Sequence, residues 1–300
     1  MTTRRHFVAG AALAAPAMFA QDKKQMISLA AWSMSSSFFQ GGWKLLDLPG
    51  ILAKKHGITA LEHVNQFFET PTYGYVQKLN RACADNGVKQ TILMVDGEGS
   101  TAAVDRAERK KAEIFHRKWI DVAAELGCHS VRCNFYGGAE KWSEDKDLVK
   151  RGAETFSWML DYAKGTNLNI IVENHGRASS DPDILVALVK AVNNPKFGLL
   201  VDLGNWNPGA DRYANVKKVL PYYKGLSVKG NYGPNADPAF DMVKLMKTAL
   251  EGGYVGYWGI EVTPRLQRGQ KLPAADLLAM EEKTINEVKA IIQQTVPGAA

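Results

Sequence analysis

Residues 168–176, LNIIVENHG, form a short apolar run that ends on a carboxylate, and residues 197–206, FGLLVDLGNW, repeat the arrangement. Each run has the length and apolar content of a buried strand, with its acid, Glu173 or Asp202, at the end of the apolar part. An isolated ionised carboxylate is costly in a low-dielectric interior, so such groups normally have a partner, often a metal ion. The two acids converge only if both runs are strands of one sheet and end at the same edge of it. The number and order of such runs in the chain therefore matter.

Apolar runs of this kind recur along the chain and alternate with stretches of helical periodicity. The strand candidates are residues 26–32, 58–64, 89–95, 130–135, 169–175, 197–203, 225–231 and 257–263. Apolar strands that alternate with helices indicate a parallel sheet covered on its outer face, and eight of them predict an α/β fold, the (β/α)8 TIM barrel. A doubly wound open sheet is the alternative, but residues 32–43, WSMSSSFFQGGW, lack the G-x-G-x-x-G spacing expected after its first strand.

The first twenty residues, MTTRRHFVAGAALAAPAMFA, have the pattern of an export signal. Paired arginines precede an Ala-rich apolar stretch that is too short to span a bilayer comfortably, and small residues precede Gln21. Arg4 and Arg5 resemble the twin-arginine motif, whose export machinery transports folded proteins; an ordinary secretory signal is the alternative. We expect residues 1–20 to be a cleaved signal peptide and residues 21–300 to form one barrel domain. The mature protein is then periplasmic, without stable membrane insertion.

The composition argues against several classes of protein. Hydrophobic residues make up 46% and charged residues 23% of the chain, which is ordinary for a globular protein. Without Arg4 and Arg5, 35 bases face 31 acids, and a net charge of +4 is too small to indicate nucleic-acid binding. Cys83, Cys128 and Cys133 have no metal-ligand spacing and imply no disulfide framework, so we expect each to be buried as a small apolar side chain.

Polar residues crowd the C-terminal ends of the predicted strands, where the active sites of (β/α)8 barrels lie. Glu173, Asp202 and Glu261 stand at the same point of strands five, six and eight. Like charges a few ångströms apart raise one another's pKa, so three ionised acids need a cation. Mn²⁺ or Mg²⁺ suits oxygen ligands, and an added imidazole broadens the choice to Co²⁺ or Zn²⁺. Ion pairs with neighbouring basic residues, or capping of helix N-termini, are the alternative.

In strand order and motifs, residues 26–295 resemble the xylose-isomerase-like (β/α)8 barrels, a family of sugar phosphate isomerases and epimerases. In that family one acid from each of strands five, six and eight binds the metal, and the acids of strands five and eight can also transfer protons. The resemblance implies Glu173, Asp202 and Glu261 as ligands, with Glu173 and Glu261 as catalytic bases. The matching motifs are GITALEHV (57–64), VENHG (172–176), VDLGNW (201–206), LSVKG (226–230) and GYWGIEV (256–262).

Strand seven departs from the family pattern. Many members have a metal-ligating His there, in an H-x-K-like arrangement, where this chain has Ser227 followed two residues later by Lys229. Either His175 or Asn205 supplies the missing ligand, or the metal keeps extra water molecules.

Other residues at the strand ends are candidates for catalysis or for substrate binding. Lys229 and His175 are candidate catalytic groups, because they can polarise an oxygen or donate a proton. Trp32 and Trp206 have aromatic faces that suit sugars, with a place in the core as the alternative, and His63 is either a substrate contact or a buried structural histidine. The candidate substrate-binding residues are Trp32, Glu62, His63, Arg132, Asn134, Trp206 and Arg265.

The resemblance implies proton abstraction next to a carbonyl that a divalent ion polarises. Reprotonation gives an isomerase or epimerase, whereas expulsion of a leaving group gives a keto-sugar (3-keto-glycoside) lyase or dehydratase. Since sugar phosphates are largely cytoplasmic and the chain has no Gly-rich phosphate loop, we expect a non-phosphorylated carbohydrate. A non-catalytic carbohydrate-binding barrel is a further alternative. A barrel nuclease for damaged DNA ranks last, because such enzymes have a richer set of His and acid ligands.

Overall fold

The computed structural model describes residues 24–137, 142–231, 237–264 and 272–300. Within these ranges eight parallel strands close into a barrel in chain order, and the last strand pairs with the first. The predicted (β/α)8 TIM barrel is therefore confirmed. The strands are Met26–Ala30 (β1), Ala60–Val64 (β2), Lys89–Val95 (β3), Ser130–Cys133 (β4), Asn169–Glu173 (β5), Phe197–Asp202 (β6), Tyr223–Val228 (β7) and Tyr257–Ile260 (β8).

Helices connect the strands and cover the outside of the barrel. They are Ser35–Phe39 (α1), Leu48–Ile51 (α2), Tyr73–Asp85 (α3), Arg106–Glu125 (α4), Leu148–Tyr162 (α5), Pro182–Val192 (α6), Arg212–Val219 (α7), Met242–Glu251 (α8) and Ala274–Thr295 (α9). Residues Leu52–His56 continue α2 as a π-helical turn. Short 3-10 segments lie at Ala31–Met34, Asn65–Phe67, Trp142–Glu144, Ala163–Gly165, Arg177–Ser180 and Leu220–Tyr222.

Two predictions fall on residues that the structure does not describe. The signal segment, residues 1–20, and Arg265 both lie outside the described ranges. Among the helices inside those ranges, none combines the length and the apolar character that crossing a membrane requires. The three cysteines are free and buried, as predicted.

Four of the helices begin at an aspartate that caps them. Asp105, Asp181, Asp211 and Asp241 each accept hydrogen bonds from backbone N–H groups in the first turn of α4, α6, α7 and α8. These N–H groups have no partner inside the helix, and each cap contributes about 1 kcal/mol. The caps fix the start of four helices around the barrel.

Several strands end earlier than the apolar pattern predicts. β4 ends at residue 133 rather than 135, β5 at 173 rather than 175, and β8 at 260 rather than 263. Polar side chains form hydrogen bonds where β4 and β5 end, and after β5 they take the place of backbone pairing. Asn174 bonds the backbone of Asp202, and Asn134 bonds the carboxylate of Asp96. Asn134, Asn174 and Glu261 therefore lie in the first residues of the loops. Arg132, Glu173 and Asp202 lie within their strands.

Strand register decides which side chains point into the barrel. Paired residues on neighbouring parallel strands share a face, and successive residues alternate between faces. Asp202 pairs with Ser227, and Ser227 pairs with Gly259. Glu261 lies two residues beyond Gly259, so the alternation brings it to the same interior face as Asp202.

Candidate metal centre

Three buried carboxylates meet at the C-terminal end of the barrel. Glu173 and Asp202 end β5 and β6, and Glu261 follows β8 directly. Each offers one oxygen, and the three oxygens lie within 4.8 Å of one another. Glu173 is 1% exposed, Asp202 0% and Glu261 6%. The acids of the two runs at residues 168–176 and 197–206 do converge, and Glu261 joins them.

Lys229 contacts two of the three acids. Its Nζ atom lies 3.1 Å from Asp202 Oδ2 and forms a closer ion pair with Glu261. Burial lowers the pKa of Lys229, but the neighbouring carboxylates, Asp202 first, outweigh burial and raise it above its usual value. Lys229 is therefore an ammonium in this protein, and it neutralises about one of the three negative charges.

Arg132, on β4, faces the third acid. Its Nε atom lies 3.1 Å from Glu173 Oε2, but neither atom has a hydrogen bond of good geometry, so the contact is mainly Coulombic. Its Nη1 atom donates to Asp96 Oδ1 at 2.7 Å, and Asn134 Nδ2 donates to the same oxygen at 2.6 Å. Burial raises the pKa of Asp96, but the charge and hydrogen bond of Arg132 bring it below its usual value. Arg132 is thus shared between Asp96 and Glu173.

The pKa values of the three acids reflect this incomplete neutralisation. Burial raises the pKa of Glu173 to about 7, and the charge of Glu261 adds to the rise. Burial also raises the pKa of Asp202 to about 7, against the opposing effect of Lys229. Burial acts on Glu261 in the same direction, but contact with Lys229 outweighs it and lowers the pKa. A divalent cation among the three acids would lower all three pKa values.

The donor set fits a hard divalent cation. Among the described residues, Glu173 Oε2 and Asp202 Oδ2 are buried oxygens that accept no hydrogen bond, although each faces a cation 3.1 Å away. Oxygen-only coordination suits Mn²⁺ or Mg²⁺ better than a soft metal. Asn205 lies beside the acids, since its Nδ2 atom donates to Glu173 Oε1 at 3.2 Å. Of the two predicted extra ligands, Asn205 is therefore in contact with the cluster.

His175 lies near the acids but outside the group of three. Its Nδ1 atom forms a 2.7 Å hydrogen bond with the hydroxyl of Tyr136. Burial lowers the pKa of His175, and the charge of Arg132 adds to the effect. Tyr136 was not among the predicted site residues, although it directly follows the strand predicted at residues 130–135.

Two cavities border these residues, and both fall within the usual size range of small-molecule sites. The first, of about 310 Å³, is lined by Trp32, Asn205, Lys229, Gly230, Glu261, Val262 and Thr263. The second, of about 410 Å³, is lined by Phe135, Tyr136, Gly137, Trp142, Leu148, His175, Arg177 and Ala178. The first cavity therefore gives access to one acid and the lysine, and the second reaches His175.

Glu62 and His63 are neighbours on β2 and point to opposite faces. Glu62 faces the barrel interior, where Ser28 Oγ donates to its Oε1 atom at 2.5 Å, and burial raises its pKa to about 7. His63 faces the helices, where its Nε2 atom bonds Gln90 at 2.8 Å, and burial lowers its pKa to about 4. The structure thus places His63 outside the site, and the expected substrate contact is corrected to a structural role.

The predicted aromatic residues differ in position. Trp32 lines the first cavity and stacks on Phe67 with 5.9 Å between ring centroids. Trp206 is 6% exposed and belongs to the hydrophobic core, and its indole N–H has no acceptor among the described residues. Trp32 remains a candidate substrate contact, whereas Trp206 is a core residue.

The fold and the site together define a (β/α)8 barrel with a buried carboxylate cluster at the C-terminal ends of its strands. The chain belongs to the xylose isomerase-like TIM barrel family, whose model matches residues 51–292. Among curated protein sequences, none matches the chain.

Solved structures share this fold at low sequence identity. A D-tagatose 3-epimerase-like protein has a TM-score of 0.69 and 16% identity, covering 90% of this chain and 98% of its own. A D-allulose 3-epimerase from Methylomonas sp. in complex with D-allulose has a TM-score of 0.68 and 14% identity, covering 91% and 98%. A xylose isomerase-like TIM barrel protein from Mycobacterium smegmatis in complex with magnesium has a TM-score of 0.62 and 17% identity, covering 91% and 98%.

Proposed function

We propose that this protein is a divalent-metal-dependent sugar isomerase or epimerase that removes a proton next to a carbonyl of a non-phosphorylated carbohydrate. The observation that carries the proposal is the group of three buried carboxylates within 4.8 Å of one another. Family membership and the likeness in fold to sugar 3-epimerases support it. Glu173, Asp202 and Glu261 would hold the ion, with Asn205 as the candidate fourth ligand. When bound, the ion supplies polarisation of a carbonyl and an adjacent hydroxyl.

Glu261 and Lys229 are assigned the first proton transfer. Both line the first cavity, so a sugar in that cavity meets a carboxylate base and an ammonium donor. The carboxylate takes the carbon-bound proton, and the ammonium stabilises the negative charge that develops on the neighbouring oxygen.

Glu173 and His175 are assigned the return of the proton. The Glu173 carboxylate belongs to the group whose oxygens lie within 4.8 Å of one another, so it can act as a second proton-transfer group beside Glu261. His175 is biased toward its neutral form by burial and by Arg132. When Tyr136 O–H donates to Nδ1, the neutral imidazole carries its hydrogen on Nε2 and can donate a hydrogen bond to a substrate oxygen.

Deuterium exchange tests this function. The protein is stripped with a chelator, reloaded with Mn²⁺ and incubated with D-allulose, D-tagatose or D-fructose in D₂O. We expect deuterium at carbon 3 by NMR and the epimer by chromatography. Glu261→Gln is expected to lose roughly 100-fold or more in exchange rate, whereas the exposed control Glu251→Gln keeps it. Tight sugar binding without exchange would instead support the non-catalytic carbohydrate-binding barrel.

The keto-glycoside lyase is the second candidate, and the second cavity favours it. That cavity contains three aromatic side chains, Phe135, Tyr136 and Trp142, and it reaches His175 beside the acids. Aromatic walls suit a second ring attached to the sugar, which is the leaving group that elimination requires. Release of the aglycone from a 3-keto-glycoside by the Mn²⁺-loaded protein would support elimination. Exchange at carbon 3 without release would support epimerisation.

The proposed location is the periplasm. It rests on the sequence of residues 1–20, with the twin-arginine export machinery as the partner.

A further inference from the structure

We propose that the Lys229 ammonium occupies the position of the metal in the metal-free protein and has to leave it when a divalent ion binds. This inference rests on the metal dependence proposed above. Before the ion binds, the Lys229 ammonium neutralises part of the negative charge of the three acids. Lys229 therefore competes with the ion for the site.

The contacts of Lys229 place its charge between two of the three acids. Nζ lies 3.1 Å from Asp202 Oδ2 and pairs closely with Glu261 Oε1. Both residues belong to the group whose oxygens meet within 4.8 Å. A small divalent ion binds carboxylate oxygens at about 2.1 Å, so an ion that takes Asp202 Oδ2 and Glu261 Oε1 as ligands would displace the ammonium from them.

The chain makes room for this lysine. Gly204 follows β6, and a Cβ atom there would lie 2.8 Å from Lys229 Cγ and 2.9 Å from Lys229 Cβ. Any residue other than glycine at position 204 would therefore push the lysine stem away from the acids. The backbone N–H of the same glycine donates to Asp202 Oδ1 at 2.7 Å. Gly204 thus orients the Asp202 carboxylate with its N–H group, and its lack of a side chain leaves space for Lys229.

Lys229 is also the cation that has room to move. Its side chain is 21% exposed and lines the first cavity, whereas the side chain of Arg132 is 4% exposed and is fixed by Asp96. Displacement moves the ammonium into the cavity that we assign to the sugar. Metal loading then releases a proton donor next to the substrate oxygen.

The first test is Mn²⁺ affinity, measured by isothermal titration calorimetry after chelator treatment. If the ammonium occupies the site at least nine-tenths of the time, Lys229→Met binds Mn²⁺ about 10-fold more tightly than wild type. Metal-free Lys229→Met is also expected to melt at a lower temperature than wild type. Its melting temperature is expected to rise more than that of wild type when Mn²⁺ is added. Lys224→Met, which changes a half-buried lysine near the start of the same strand, is expected to match wild type.

The second test uses the wild-type protein and does not depend on the stability of a variant. Acetic anhydride labelling followed by mass spectrometry measures the reactivity of each lysine with and without Mn²⁺. We expect Lys229 to become several-fold more reactive on loading and Lys224 to stay unchanged. Equal or weaker binding by Lys229→Met, or unchanged labelling of Lys229 at saturating Mn²⁺, would overturn the inference. Absence of Mn²⁺ binding to both proteins would instead overturn the proposed metal dependence, and the inference with it.

Discussion

The side chain of Asn174 is joined to the backbone of Asp202 by two hydrogen bonds. Nδ2 donates to the carbonyl oxygen of Asp202 at 2.8 Å, and the Asp202 N–H donates to Oδ1 at 2.8 Å. The same two bonds join Asn65 to Asp96, at 2.9 Å each. Each asparagine directly follows a strand, β5 or β2, and replaces the next backbone pairing to the neighbouring strand. The two aspartates are therefore held at the points where sheet pairing stops.

Asn174→Ala is expected to reduce both stability and metal affinity. The change leaves a buried N–H and a buried carbonyl without partners, at a cost of about 2–4 kcal/mol in the free energy of unfolding. It also frees the backbone of Asp202, so the Mn²⁺ affinity falls. Urea denaturation and calorimetry measure the two effects.

Asn65→Ala is the matched control for this prediction. This variant removes the two equivalent hydrogen bonds to the backbone of Asp96, a residue that is more accessible than Asp202. It is expected to reduce stability without changing the Mn²⁺ affinity. Equal losses of affinity in both variants would show that the effect comes from general destabilisation.

Glu62→Gln is expected to remove a pH dependence of stability. Burial raises the pKa of Glu62 to about 7 in the folded protein, from 4.5 in the unfolded chain. Between these values the folded protein binds more protons than the unfolded chain, so the contribution of Glu62 is present at low pH and is lost as pH rises toward 7. At pH 8 the variant is expected to exceed wild type by on the order of 3 kcal/mol, with near equality at pH 4.

Thermal melting between pH 4 and 8 checks the prediction for Glu62. Glu282→Gln, at a side chain that is 23% exposed and pairs with Lys55, serves as the control and is expected to follow the wild-type curve. A Glu62→Gln curve parallel to wild type over the whole range would contradict the raised pKa.

Arg132→Met is expected to be strongly destabilising. The variant leaves Glu173 and Asp96 buried without their shared counter-charge, and loss of one partner of a buried ion pair costs about 3–5 kcal/mol. The control is Arg106→Met, which breaks an ion pair with Glu154. The Arg106 side chain is 71% exposed, so this variant is expected to lose only about 0–1 kcal/mol in the free energy of unfolding. Urea denaturation of the metal-free proteins compares the two. An Arg132→Met loss no larger than that of Arg106→Met would argue against the buried pair.

Changing Arg4 and Arg5 to lysine is expected to keep the precursor in the cytoplasm. The twin-arginine machinery recognises the arginine pair. Two lysines keep the positive charge but lack the guanidinium groups, so we expect the variant not to be exported. Cell fractionation and immunoblotting measure the location. Periplasmic recovery of the double variant at the wild-type level would indicate an ordinary secretory signal.

The barrel and its acid cluster follow from patterns that the sequence displays directly. Apolar runs fix the strand order, and in a parallel barrel all C-terminal strand ends meet at one rim. This reasoning locates Glu173, Asp202 and Glu261 without knowledge of the register. The same reasoning cannot place side chains of loop residues, such as Tyr136 against His175, because loop geometry depends on tertiary contacts.

Glu62 and His63 were both predicted to bind substrate, although they are neighbours on one strand. Successive residues of a strand point to opposite faces, so two neighbours on β2 cannot both reach the barrel interior. The alternation alone excludes one of them, and the register shows that it is His63. The Lys229 contact was harder to predict, because it depends on the absence of a side chain at Gly204.

We propose that the three carboxylates hold one divalent ion. The most direct test of this proposal is a Mn²⁺ titration of the chelator-treated mature protein, in parallel with the Glu173→Gln, Asp202→Asn double variant. Elemental analysis of each protein as purified provides the stoichiometry. We predict close to one Mn²⁺ per chain in wild type and a loss of at least about 100-fold in affinity in the double variant. Equal binding in both proteins, or no binding in wild type even with excess Mn²⁺, would contradict it and leave the acids as structural partners of Lys229 and Arg132.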